Sequence, residues 1–177
     1  KEDLKVIRIK QAQRVIRALT HDITKEFINS LDSEKKRLII KVLYMCGLRV
    51  GEVSHLTINS VVQKRLIGKG NKERDIFINP DLQRELIQHH HQYSKGEIIF
   101  ENSGERYIEK FVQTQAEKMG LPWVTPHTFR RSFATNMLNK GYDLDEVSSW
   151  LGHASVDMTR QHYIGKREHQ DRGDLYF

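Results

Sequence analysis

Between Asp32 and Gly47 the apolar residues Leu38, Ile39, Val42, Leu43 and Cys46 recur at i, i+1, i+4, i+5 and i+8, and no other feature restricts the fold as much. This is the stripe of one helix face. Asp32 or Ser33 offers the N-cap and Gly47 the stop, so a central buried helix is expected there. Similar periods return later in the chain. Pro80 opens a helix through Leu82, Leu86 and Ile87 that ends near His89-His90-His91, and Tyr107 to Met119 carries apolar residues at 108, 111, 112, 116 and 119. Thr125 caps a helix with Pro126 in its first position, Phe129, Phe133, Met137 and Leu138 turned inward, and Gly141 just past its end. Asp143 and Glu146 make a capping box for a helix ending near Leu151-Gly152, and a last helix is expected from Ser155 to include Tyr163.

Helical periodicity breaks in the middle. Arg65 to Ile67 and Arg74 to Ile78 suggest short strands joined by Gly68-Lys69-Gly70-Asn71-Lys72, a β-hairpin with a basic, glycine-rich tip. Glu97 to Phe100 offers another strand, and Val50, Val53 and Leu56 a short helix with Arg49 at its N-terminal end. The expected fold class is mainly α with a small antiparallel β-sheet (α+β).

Charge and cysteine content narrow the function. The 177 residues hold 29 Lys plus Arg against 23 Asp plus Glu, a formal +6, which favours polyanionic partners. Lys5, Arg8, Lys10, Arg14 and Arg17 crowd the N-terminal segment, and Lys64, Arg65, Lys69, Lys72 and Arg74 crowd the hairpin. The lone Cys46 excludes an intramolecular disulfide and a zinc ribbon, and it fits a reducing, cytoplasmic setting. The apolar run around Val42 to Leu48 is far short of a membrane span. The chain begins with Lys rather than Met, so residues 1–21 are expected to be a basic segment or linker from an upstream domain, with 22–177 as the catalytic domain.

Thr125-Pro-His-Thr-Phe-Arg130 is the most informative segment. His127 and Arg130 share a face at the first turn of a helix, where orphan N–H groups and the positive dipole end favour phosphate. Four further motifs accompany it: Gly47-Leu-Arg-Val-Gly-Glu52, Gly68-Lys-Gly-Asn-Lys-Glu-Arg74, Leu151-Gly-His153, and Tyr163. Each is common alone. In this order and approximate spacing, from about Asp22 to Tyr163, the series resembles the catalytic domain of the tyrosine recombinases, the phage integrase family.

The resemblance implies the following roles. Arg49 matches the first catalytic arginine, Lys69 the hairpin lysine, His127 and Arg130 the H-x-x-R pair, His153 the L-G-H histidine and Tyr163 the nucleophile; Glu52 stands where the family has a supporting acid. Two positions depart from the pattern. Tyr163 follows His153 by ten residues where nine is usual, leaving His162 at the usual place, and Arg131 replaces the histidine that commonly follows H-x-x-R. Lys72, Arg74 and Arg131 are expected to touch DNA phosphates without sequence preference. The resemblance further implies double-stranded DNA as substrate, four protomers on two synapsed sites and accessory DNA-bending or directionality proteins. The tail after Tyr163, including Leu175 to Phe177, is expected to dock on a neighbouring protomer.

The residue types suit that chemistry on their own terms. A phosphodiester attacked by oxygen gathers charge on its nonbridging oxygens, which two guanidiniums can hold as bidentate, always-charged donors. Imidazoles at His127 and His153 can donate hydrogen bonds or manage the phenol proton, and the Lys69 ammonium can protonate a departing 5′-oxygen. The Arg pair and Lys69 supply the charge a metal would bring, so no metal or other cofactor is expected. The adjacent histidines 89–91 point in different directions on a helix and do not suggest a metal site. A type IB topoisomerase, a noncatalytic DNA-binding relative and a metal nuclease remain as alternatives, separable by supercoil relaxation, adduct formation and sensitivity to EDTA.

Overall fold

The computed structural model describes residues 18–67 and 73–153. Along the chain run α1 (His21–Asn29), α2 (Glu34–Met45), α3 (Val50–Ser54), α4 (Ile58–Gln63), β1 (Arg65–Ile67), β2 (Glu73–Asp75), α5 (Pro80–Tyr93), α6 (Glu105–Lys118), α7 (Pro126–Asn139) and α8 (Leu144–Leu151). The fold is mainly α with one two-stranded antiparallel sheet among the described residues. None of the described helices is long and apolar enough to cross a membrane.

α2 is the central helix. Ser33 caps it, its hydroxyl accepting from the Lys36 N–H, and Leu38, Ile39, Ile40, Val42, Leu43 and Tyr44 are all buried along it. From Leu38 onward only Lys41 interrupts the apolar run because neighbours cover this part of the helix on several sides, each large side chain contributing about 1.5–3 kcal/mol by leaving water. α7 packs along it. The Asn136 amide donates to the Tyr44 hydroxyl at 2.8 Å, and Phe129 meets Phe27 of α1 edge-on at 5.1 Å. Cys46, the C-cap of α2, is wholly buried, and burial pushes its thiol pKa well up.

α7 bridges two apolar clusters. Phe129 belongs to the large core around α2, whereas Phe133, Ala134 and Met137 join Val147 and Leu151 of α8 in a smaller one, flanked by Phe77, Leu138 and Trp150. The small cluster seats α8. At the other end of α7, Thr125 and Thr128 form a reciprocal capping box with Pro126 in the first turn, and past its C-terminal end Gly141 takes a left-handed φ of 93°.

Two expectations meet a different outcome. Residues Glu97 to Phe100 form a single antiparallel bridge, Thr57 to Ile98, because Thr57 is already the N-cap of α4 and leaves no extended partner. β2 ends at Asp75, since Ile76 still bonds to the Lys64 carbonyl but Lys64 turns left-handed (φ 53°) and the partner strand goes no further. The alternation survives without the ladder: Ile76 and Ile78 enter the large core while Phe77 faces Phe133, Tyr142 and Trp150. The helices α1 and α4 were not expected from periodicity. The helix expected from Ser155, the hairpin tip and Leu175 to Phe177 lie outside the described residues.

Candidate active site

The site gathers around the C-terminal end of α8. A helix leaves its last carbonyls without intrahelical partners, and these carry the negative end of its dipole. Here the Ser148 and Ser149 carbonyls accept the N–H of Gly152, which is left-handed at φ 61°, and Ser148 also takes the His153 N–H. The next three carbonyls take guanidiniums from three other parts of the chain. Arg74 Nε of β2 donates to Trp150 at 3.2 Å, Arg130 Nη2 of α7 to Leu151 at 2.6 Å, and Arg49 Nη2, at the head of α3, to Gly152 at 3.0 Å.

Gly47 makes the approach of Arg49 possible. It turns left-handed (φ 65°) just past the α2 C-cap, and a Cβ there would collide with the Phe133 ring. Its carbonyl accepts from Arg130 Nη1, so one glycine both turns the chain toward Arg49 and binds the second arginine. Arg130 is 3% exposed, whereas the Arg49 side chain is 46% exposed. Buried and fixed, Arg130 is a rigid partner to the more accessible Arg49, and their guanidiniums end on adjacent carbonyls.

Glu52 ties the cluster together. One carboxylate oxygen accepts the Arg49 N–H at 2.8 Å and Arg74 Nη2 at 2.9 Å, and the other accepts Arg49 Nη1 at 3.0 Å. Burial alone would push its pKa up. The hydrogen bond from Arg74, the Arg49 N–H and the two positive charges outweigh that and hold it below the ordinary carboxylate value.

His127 is exposed in the first turn of α7, one helical turn before Arg130. His153 is half-buried immediately after Gly152. Arg131 is half-buried, its Nε shut from solvent without a hydrogen-bond partner among the described residues. Arg74 is only 12% exposed at its side chain, and its guanidinium faces Glu52 and Trp150. The structure thus joins Arg49, Glu52, Arg74 and Arg130 at one helix end that leads directly into His153; Lys69, Lys72 and Tyr163 lie outside the described residues. Among the described residues no three His, Cys, Asp or Glu side chains assemble as a possible metal site.

Sequence reasoning missed the α8 end itself. Backbone carbonyls are common to every residue type, and only the placement of Gly152 at a helix stop hinted that a cap was needed there.

A buried arginine and an accessible one, set on adjacent carbonyls of one helix end with the accessible one also held by Glu52, form an arrangement that can hold an anion. The chain belongs to the phage integrase family, whose sequence pattern matches residues 6–170. It is 35% identical over 143 residues to tyrosine recombinase XerC of Herpetosiphon aurantiacus, covering 71% of this chain and 46% of that protein. It is 34% identical over 164 residues to tyrosine recombinase XerA of Pyrococcus horikoshii, covering 81% and 55%. The chain spans about half the length of these curated relatives. Among solved structures, a XerA recombinase matches with a TM-score of 0.71 at 27% identity, over 88% of this chain and 61% of that one. A lambda integrase dimer bound to a COC′ core site shares the fold, with a TM-score of 0.70 at 18% identity over 93% and 65%.

Proposed function

We propose that this chain is the catalytic part of a site-specific DNA recombinase that cleaves and rejoins strands through a 3′-phosphotyrosine, without metal or ATP. The convergence of Arg49 and Arg130 on adjacent carbonyls carries the reading, because it sets two guanidiniums where one phosphodiester can be held by both. In this scheme the phenol oxygen of Tyr163 attacks the phosphorus, the bond to the 5′-oxygen breaks, and the phenol proton passes to His127 or His153. Lys69 protonates the departing 5′-oxygen. The arginines hold the nonbridging oxygens throughout, and Glu52 keeps Arg49 in place. Attack by another 5′-hydroxyl reverses every step and reseals the strand, so the exchange conserves the phosphoester bond.

Residues 22–177 form the catalytic domain, with 1–21 leading from an upstream domain that closes on the far side of the duplex. The whole protein acts on double-stranded DNA as four protomers on two synapsed sites, assisted by DNA-bending or directionality proteins. Lys72 and Arg131 add nonspecific phosphate contacts. The family match and the XerA likenesses support the family on which these statements rest, and the lambda integrase likeness supports the fold.

Trapping on a nicked suicide duplex tests the reading. A covalent 3′-linked complex is expected in the presence of EDTA, and it disappears in Tyr163→Phe; an adduct that persists in that variant moves the nucleophile elsewhere. Supercoil relaxation without site preference, in place of two-site recombination, would instead identify a topoisomerase.

A further inference from the structure

We infer that Arg74 is a positioning residue, which clamps the end of α8 to Glu52 and thereby sets Arg49 and His153, rather than a contact to DNA phosphate. The proposal rests on the strand-exchange function above and names a part of its machinery. Arg74 sits on β2, paired with Leu66 of β1, and its side chain runs inward toward the site. Its two donors diverge: Nε reaches the Trp150 carbonyl at 3.2 Å and Nη2 reaches Glu52 at 2.9 Å. One acceptor belongs to α8 and the other to α3, so this fork joins two elements on which the candidate catalytic groups stand.

The charges support the same assignment. Glu52 is a single carboxylate shared by Arg74 and Arg49, and its side chain is only 20% exposed. Pairing with Glu52 offsets the Arg74 charge inside the protein, while Arg49 stays accessible at its outer edge. The fit is close as well. A Cβ on Gly152 would stand 2.7 Å from Arg74 Nε and 2.9 Å from its Cζ, so the glycine of the Leu151-Gly152-His153 turn leaves room for the close approach of this guanidinium. A lysine ammonium, on a shorter stem and without the planar fork, does not reproduce the Nε and Nη2 pair of donors.

Through Trp150 the clamp holds the carbonyls that anchor Arg130 and Arg49, and it fixes where the chain leaves α8 at His153. Because β2 is paired with β1, the clamp ties this two-stranded sheet to the same helix end. Misplacing reacting groups by about 1 Å costs on the order of 10²-fold in rate.

The experiment compares Arg74→Lys and Arg74→Ala in the full-length protein with the unaltered protein, measuring single-turnover cleavage of a nicked suicide duplex at saturating DNA. The salt dependence of binding is measured alongside. Both variants are expected to cleave roughly 10²-fold more slowly, with dissociation constants within about twofold and an unchanged salt slope. Near-normal cleavage at saturation, with weaker binding and a slope lower by about one, is the signature of a lost phosphate contact and overturns the proposal. Wild-type cleavage by Arg74→Lys overturns it too, because a single charge would then suffice.

Should Arg74→Ala fail to fold, Arg74→Lys keeps the comparison, being expected to cleave slowly. Amide hydrogen exchange at Gly152 and His153, measured without DNA, should accelerate at least tenfold in Arg74→Lys; unchanged protection overturns the clamp. If the unaltered protein forms no adduct, the strand-exchange function fails and the exchange measurement alone decides whether the clamp exists.

Discussion

Arg49 and Arg130 hold adjacent carbonyls but differ in what their loss exposes. Arg49 is half open to solvent, so Arg49→Ala should lower cleavage by about 10²–10³-fold with little change in melting temperature. Arg130→Ala should lose cleavage and stability together, since it bares the Gly47 and Leu151 carbonyls at about 1–3 kcal/mol each. Single-turnover rates beside thermal melts check the contrast; equal melting of the two variants contradicts it. Glu52 carries a pH signature. Its folded pKa lies below the ordinary 4.5, so its contribution to stability is complete above that value and disappears as pH falls through the depressed folded value. Urea titrations across that range should show a shallower acid loss for Glu52→Gln than for the unaltered protein. Parallel acid curves would show that its ion pairs do not stabilise the fold.

At the scale of elements, two glycines decide where the helices end and what meets beyond them. Gly47→Ala places a methyl against Phe133 at a left-handed backbone, and should cost roughly 2–5 kcal/mol through combined strain and overpacking. Chemical denaturation measures it, and a loss below about 1 kcal/mol would mean the Phe133 ring swings aside. The legibility of the elements followed their length and partners. α2, α5, α6 and α7 run long enough to repeat an apolar period, and the caps Ser33, Asn79 and Thr125 of α2, α5 and α7 are side-chain signals. α4 covers Ile58 to Gln63, too short to establish a period, and α1 buries little beyond Thr24 and Phe27. Ile98 had the composition of a strand but its partner stops at Thr57, a limit set by tertiary pairing and absent from local pattern.

For the whole molecule, the convergence of Arg49 and Arg130 was anticipated only through the order of motifs resembling one family, because nothing local says that residues so far apart in the chain meet. The partners of Arg74 were illegible for a different reason. A basic residue beside a hairpin tip looks like any surface cation until the carbonyl it seeks is positioned by a distant helix. If four protomers on two DNA sites are the working assembly, light scattering of the full-length protein should report a tetramer with paired sites present. A monomer or dimer under those conditions counts against synapsis by this chain.

The burial of Cys46 has a practical use. It is the one thiol in these 177 residues, and it sits at the end of α2 against the largest apolar cluster among the described residues, away from solvent. A disulfide reagent therefore reacts only when that cluster opens, and its labelling rate serves as a clock for unfolding. Run on each variant above, this clock separates substitutions that loosen the scaffold from those that merely disarm it.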